Sequence, residues 1–167
     1  MISLFYTGRI TIRQKRFDLL IQLSDLLSNT NEHFTLYIFG IGDNNLIKSL
    51  LKYQTKKFRI ICSGYVVDWL ESLPVGAIQV FTSDYEGCPL SLLEAYKNGF
   101  KKILAIDSPG VNKYLSRNCL FKDINDIKNA LIENRDLDNH LDLNLYFDHN
   151  RFKSEVLYTF DKILNIN

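Results

Sequence analysis

A chain of 167 residues, 46% hydrophobic and 23% charged, is long enough to bury one core without help from disulfides or a metal. Its 20 basic and 19 acidic side chains leave a formal charge of +1, which excludes bulk electrostatic attraction to nucleic acid or an acidic partner. The 3 cysteines, Cys62, Cys88 and Cys119, are odd in number and form no C-x-x-C, so neither a disulfide framework nor a zinc site is implied and a reducing cytoplasm is the expected setting. The start MISLFYTGRI has no basic segment leading into a long apolar run, and no stretch approaches the roughly 18 apolar residues of a membrane span.

The first apolar run, ISLFYT at 2–7, has the length and the β-branched and aromatic character of a buried strand. Phe17, Leu20, Ile21, Leu23 and Leu27 then recur at helical spacing. FTLYIFG at 34–40 predicts a second strand, Leu46, Ile47, Leu50 and Leu51 a second helix, and FRIICSG at 58–64 a third strand. Trp69, Leu70 and Leu73 read as the core side of a short helix. AIQVFTS at 77–83 predicts a fourth strand, followed by the helix PLSLLEAYKNG with Pro89 at its first position and Gly99 as its C-terminal cap. KILAID at 102–107 is the fifth strand. Beyond CLF at 119–121, DINDIKNALIENR carries a capping Asp123 and helical apolar spacing at Ile124, Ile127, Ala130 and Leu131. Residues 136–148 read as a polar surface connection, and 151–165 as a closing amphipathic helix. No linker or repeat divides the chain, so a single domain over 1–167 is expected.

Strands that alternate with helices predict the α/β class, a parallel sheet with helices on both faces. The predicted strands end at YTG, IFGIG, CSG, FTS and AID, and in an open parallel sheet these carboxyl ends share one edge, where ligands bind. The most informative of them runs into TSDYEGCPLSLLEAYKNG, which sets Glu86 and Glu94 around a Gly-Cys-Pro turn. Gly87 is expected to free the chain to turn. The amides near Leu90, Ser91 and Leu92 would open the helix toward the crevice and favour a phosphate, with one carboxylate on each side of it. Ionised carboxylates accept hydrogen bonds from sugar hydroxyls, so a phosphate flanked by two of them describes a nucleotide sugar. Before the first predicted helix, Arg9, Arg13, Lys15 and Arg16 put positive charge where a helix start disfavours it unless an anion is near.

These motifs resemble the C-terminal, donor-binding domain of GT-B retaining glycosyltransferases of family 4. The resemblance is carried by YTGRITIRQKRFDLLI, LYIFGIGDNNLIKSL, SGYV and the S-x-x-E-G-x-P-x-x-x-L-E-A-x-x-x-G pattern of TSDYEGCPLSLLEAYKNG, in family order over about 4–107. It implies a Rossmann-like fold, the C-terminal half of a GT-B enzyme, with no metal and no cofactor beyond a nucleotide diphosphate sugar, UDP-linked by preference. Under it Glu86 holds hydroxyls of the donor sugar and Glu94 the ribose. Arg9 and Lys15 neutralise the diphosphate, and Gly8, Gly40, Gly42, Gly64, Tyr65, Val66, Ser83 and Gly87 line the donor site. Hexose transfer to a glycan or lipid-linked acceptor follows, as in cell-surface polysaccharide or lipopolysaccharide synthesis. The enzyme would be cytoplasmic, with peripheral membrane association allowed.

The departures from the family pattern shape the expectations. The spacing from Gly8-Arg9 to the lysine is one residue longer, so Arg13, Lys15 and Arg16 compete for that role. FKKILAID and PGVNK replace the family's usual sequence beyond Gly99, which makes residues 99–113 poor guides to donor specificity. The chain opens on the first donor-domain strand, so the family's N-terminal acceptor domain is expected to be absent and the chain alone inactive in transfer. The alternatives are a non-catalytic nucleotide-sugar-binding module or another GT-B enzyme such as a sugar-nucleotide epimerase. A signalling receiver would need acids after the first strand, where Gly8 and Arg9 stand. His33, His140 and His149 lack metal or triad spacing and read as solvated, and Cys88 as a small packed side chain.

Overall fold

The structure, a computed structural model, describes residues 1–141, so the expected helix at 151–165 and His149 lie outside the described residues. The chain alternates β1 (Ile2–Thr7), α1 (Phe17–Ser28), β2 (Phe34–Phe39), α2 (Asn44–Leu51), β3 (Phe58–Gly64), β4 (Ile78–Phe81), α3 (Leu90–Lys97), β5 (Ile103–Ile106), β6 (Leu120–Phe121) and α4 (Ile124–Ile132). All the strand pairings are parallel, in the order β3-β2-β1-β4-β5-β6. This is a Rossmann-like α/β sheet with helices on both faces, as the alternation predicted.

Two-residue alternation along each strand sorts the core. Leu4, Tyr6, Leu36, Ile38, Ile60, Val80 and Leu104 face one way and pack under Leu20, Leu23 and Leu27 of α1, Leu50 of α2 and Ile127 and Leu131 of α4. Phe5, Phe39, Phe81, Ile103 and Ala105 face the other way, toward α3 and a 3₁₀ turn at Trp69–Ser72. Phe5 joins Trp69 at 5.7 Å and Phe100 at 5.6 Å between ring centres, the latter edge to face.

Local chemistry sets the helix ends. Asp123 caps α4, its Oδ1 accepting from the amides of Asn125 at 2.8 Å and Asp126 at 3.0 Å. Gly99, at φ +88°, ends α3: its N–H reaches the Tyr96 carbonyl and that of Phe100 the Ala95 carbonyl, each at 3.0 Å, the paired pattern of a Schellman cap. Pro89, expected as the first helical residue of α3, stands one place earlier, as its N-cap.

Other expectations need correction. The sixth strand, β6, went unread because its two residues are too few to make an apolar run of strand length. The described part of the segment from 136 is no loose surface connection: Leu137 enters the core, and buried Asn139 donates to the Tyr114 carbonyl at 2.9 Å while its Oδ1 accepts from the Ser116 amide at 2.8 Å. Cys88, expected to be a small packed side chain, is exposed. Gly87 has no positive φ, and a Cβ there would meet nothing within 4 Å, so that turn does not require glycine. His33 and His140 are exposed as expected, and the imidazole Nε2 of His140 lies 2.8 Å from Asp136.

Candidate functional site

In this sheet β1 and β4 are neighbours, yet the chain leaves β1 for α1 on one face and β4 for α3 on the other. Such a reversal opens a crevice at the carboxyl ends of the two strands. Residues 8–16 and 82–89 form its walls, and they are zipped together. The Asp84 amide donates to the Gln14 carbonyl at 2.9 Å, the Thr82 hydroxyl to the Lys15 carbonyl at 2.7 Å, and the Gln14 amide side chain to the Tyr85 carbonyl at 3.3 Å.

The charged side chains complete the zipper and separate the competing cations. Lys15 Nζ donates to Glu86 Oε1 at 2.5 Å, in a pair whose side chains are only 17% and 7% exposed. Arg16 takes a left-handed backbone, φ 45°, and turns its guanidinium onto Asp18 at 3.0 Å and Asp84 at 2.8 Å. Those two carboxylates, Asp18 first, hold it still more firmly protonated than an ordinary arginine. The anion that its position before α1 demanded is therefore internal to the fold. Arg13 is exposed, and Arg9, also exposed, donates to Gln14 Oε1 at 3.2 Å. Of the three residues competing for the lysine role, Lys15 is the one that meets Glu86.

Beneath this loop, the buried Tyr6 hydroxyl donates to the Arg9 carbonyl at 2.7 Å, and its ring meets Phe17 edge to face at 5.3 Å. Burial first, and then the negative charge of Glu86, push its phenol well above the usual tyrosine range, so it remains a hydrogen-bond donor.

On the β2 side, glycines let loop backbones touch. The Gly8 amide donates to the Phe39 carbonyl at 3.0 Å, and a Cβ on Gly40 would collide with the Gly8 carbonyl oxygen. A Cβ on Gly42 would likewise strike the Ile10 carbonyl. Past these contacts opens a cleft of about 280 Å³, lined by Thr7, Gly8, Arg9, Phe39, Gly40, Ile41, Tyr65, Val66 and Trp69. Five of the residues singled out from sequence meet here: Gly8, Arg9, Gly40, Tyr65 and Val66. Gly42 and Gly64 stand outside the lining, Gly42 packing on Ile10 and Gly64 lending its carbonyl to the Gly40 amide at 2.7 Å. Sequence reasoning missed Thr7, Phe39, Ile41 and Trp69 as cleft walls, because each already had a role as strand end, core residue or loop. Thr7 Oγ1 is buried there with no hydrogen-bond partner among the described residues.

Ser83, Glu86, Gly87 and the start of α3 come from the β4 side, where Glu86 meets Lys15 of the loop after β1, and Arg9 of that same loop lines the cleft. Ser83 is buried, Leu90 is exposed, and Glu94 is exposed one turn into α3. The expected open amides are fewer than the sequence implied. The Leu90 amide donates to the Cys88 carbonyl and that of Leu92 to the Pro89 carbonyl, each at 2.9 Å, whereas the Ser91 amide has no such acceptor among the described residues. No cluster of three His, Cys, Asp or Glu able to hold a metal occurs among the described residues, and no described helix is long and apolar enough to cross a membrane.

The sequence matches the family model described as glycosyl transferases group 1 over residues 2–135. Among solved structures, the fold is similar to the apo form of the lipopolysaccharide outer core galactosyltransferase WaaB, with a TM-score of 0.64 and 22% identity over 78% of this chain and 39% of that one. It is similar to S. aureus TarM, in a complex with Fondaparinux, alpha-GlcNAc-glycerol and UDP, at a TM-score of 0.66 and 24% identity over 78% of this chain and 28% of that one. The catalytic domain of cholesterol-alpha-glucosyltransferase from Helicobacter pylori gives a TM-score of 0.61 and 23% identity over 80% of this chain and 87% of that one. At these identities the likeness is one of fold, and the chain spans well under half of the WaaB and TarM structures. No curated protein sequence matches. With four-fifths of its length inside one family model, the chain belongs to the group 1 glycosyl transferases.

Proposed function

We propose that this chain supplies the donor-binding half of a retaining hexosyltransferase that uses a nucleotide diphosphate sugar, UDP-linked by preference. The observation that carries the reading is the meeting of Lys15 and Glu86 across the β1–β4 crevice, with Arg9 on the same loop as Lys15. A diphosphate entering that crevice needs cations, and the wall at residues 8–16 supplies Lys15 and Arg9. As the bond to the sugar breaks, negative charge grows on the leaving diphosphate, and fixed positive side chains and the Ser91 amide stabilise it there. Glu86, released from Lys15, accepts from hydroxyls of the hexose, and Glu94 from the ribose. The cleft beside Gly8, Gly40, Tyr65 and Val66 takes the base, where the buried Thr7 hydroxyl offers a further hydrogen bond.

Transfer also needs an acceptor hydroxyl held against the anomeric carbon, and positioning of that kind is worth about 7–11 kcal/mol at its best. In this reading the acceptor, a glycan or lipid-linked sugar, is held by a second domain. Calorimetric titration of the 167-residue chain with UDP, GDP and their hexose conjugates tests the donor half. Binding of a nucleoside diphosphate and of one sugar conjugate is expected, and failure to bind any of them refutes the reading. In a radiolabelled donor assay with saccharide and lipid acceptors, the chain alone is expected to show at most a trace of donor hydrolysis. Robust transfer would refute the division into halves.

A further inference from the structure

We propose that Gly110, flanked by the Pro109 carbonyl and by Tyr114, is a positioning residue that sets where the Glu86 carboxylate stands. Resting on the donor reading above, this role falls to a residue of 99–113, the stretch whose sequence departs from the family pattern. The loop that follows β5 crosses directly against the loop between β4 and α3. There the Glu86 amide donates to the Pro109 carbonyl at 3.1 Å, and the Tyr114 hydroxyl donates to the Gly87 carbonyl at 3.3 Å. Between these two bonds lies Gly110, at φ +91°. A Cβ on it would fall on the Glu86 carbonyl oxygen, with the carbonyl carbon at 2.7 Å and the Glu86 nitrogen at 3.2 Å.

The clamp is itself firmly held. Tyr114 is buried in a cluster with Phe81, Leu93 and Val111, and its carbonyl accepts from buried Asn139 at 2.9 Å. The Glu86 peptide is thus gripped from the β5 side, while its carboxylate reaches across to Lys15 on the β1 side. Any side chain at position 110 must push that peptide away until ordinary van der Waals contact is restored. A shift of about an ångström at a reacting group costs on the order of a hundredfold in rate, and hydrogen bonds to a sugar are no more tolerant. Gly110 is therefore required by contact with Glu86, beyond its own backbone angle.

The test compares binding of UDP with that of the tightest binder among UDP-glucose, UDP-galactose and UDP-N-acetylglucosamine, by calorimetry on the full chain. Gly110→Ala is expected to weaken the sugar conjugate roughly tenfold or more while leaving UDP within about twofold. Glu86→Ala should do the same, and the double variant should lose no more than Glu86→Ala alone, because both act through one carboxylate. Gly76→Ala is the control for backbone strain: Gly76 has φ +79° but no neighbour within 4 Å, at the far end of β4, so its loss should fall on stability and spare the discrimination. If Gly110→Ala does not fold, Tyr114→Phe keeps the ring and removes the hydroxyl bond, with the same selective loss and the same lack of additivity expected. Parent-like binding of the sugar conjugate by the folded variant, or losses that add to those of Glu86→Ala, would overturn the assignment. Failure of Glu86→Ala itself to discriminate between the two ligands would instead bring down the donor reading, and the proposal with it.

Discussion

Replacing Lys15 with methionine keeps most of the stem and removes the charge that faces Glu86. A fully buried ion pair broken on one side costs about 3–5 kcal/mol, and an exposed one about 0–1 kcal/mol. Here the carboxylate is 7% exposed and the ammonium 17%, so the pair lies nearer the buried limit but retains some solvent. The expected loss is about 2 kcal/mol, within the range for a hydrogen bond to a charged group. For a chain of this size each kcal/mol moves the melting midpoint by roughly 2–4 °C, so the variant should melt roughly 4–8 °C below the parent. Most of that loss is the orphaned Glu86 charge. Lys15→Met/Glu86→Gln, which leaves no buried charge, should therefore recover about 1 kcal/mol relative to Lys15→Met. Urea denaturation of the parent, the single and the double variant measures both quantities. A Lys15→Met cost below about 0.5 kcal/mol, or a double variant less stable than the single, would refute the argument that this contact is formed and desolvated.

Glu94→Ala should weaken nucleoside diphosphate binding roughly ten- to a hundredfold by calorimetry, through loss of charge-assisted bonds to ribose, and unchanged affinity would remove Glu94 from the site. Gly40→Ala should destabilise the fold by about 1–3 kcal/mol in urea, because its Cβ would collide with the Gly8 carbonyl; parent-like stability would mean the two loops separate freely. Iodoacetamide on the native chain should label the exposed Cys62 and Cys88 and spare buried Cys119 until the protein unfolds, and native labelling of all three, read by mass spectrometry, would contradict that core. Burial pushes the Cys119 thiol up from 9.0 to about 11, so the unfolded chain gives up this proton first. Its contribution is intact below about pH 9 and is lost as the pH rises toward about 11, so Cys119→Ala should flatten the alkaline fall in stability.

Local physics wrote much of the fold into the sequence. Short apolar runs of strand length marked the five longer strands and 3.6-residue spacing the four described helices, and Asp123 and Gly99 marked helix ends through contacts only a few residues away. The motif residues announced one edge of the sheet, because every parallel strand delivers its carboxyl end there. What the sequence left undecided depends on partners far along the chain. Lys15 and Glu86 are 71 positions apart, and only the neighbouring placement of β1 and β4 made Lys15, and not Arg16, the cation that meets the glutamate. Gly87 looked necessary because it is a glycine in a motif, whereas Gly110 is necessary because another loop's backbone occupies the space of its side chain. Pattern within a segment reports what that segment prefers; which loops touch is decided by the sheet order, and close contact between loops is what shapes this site.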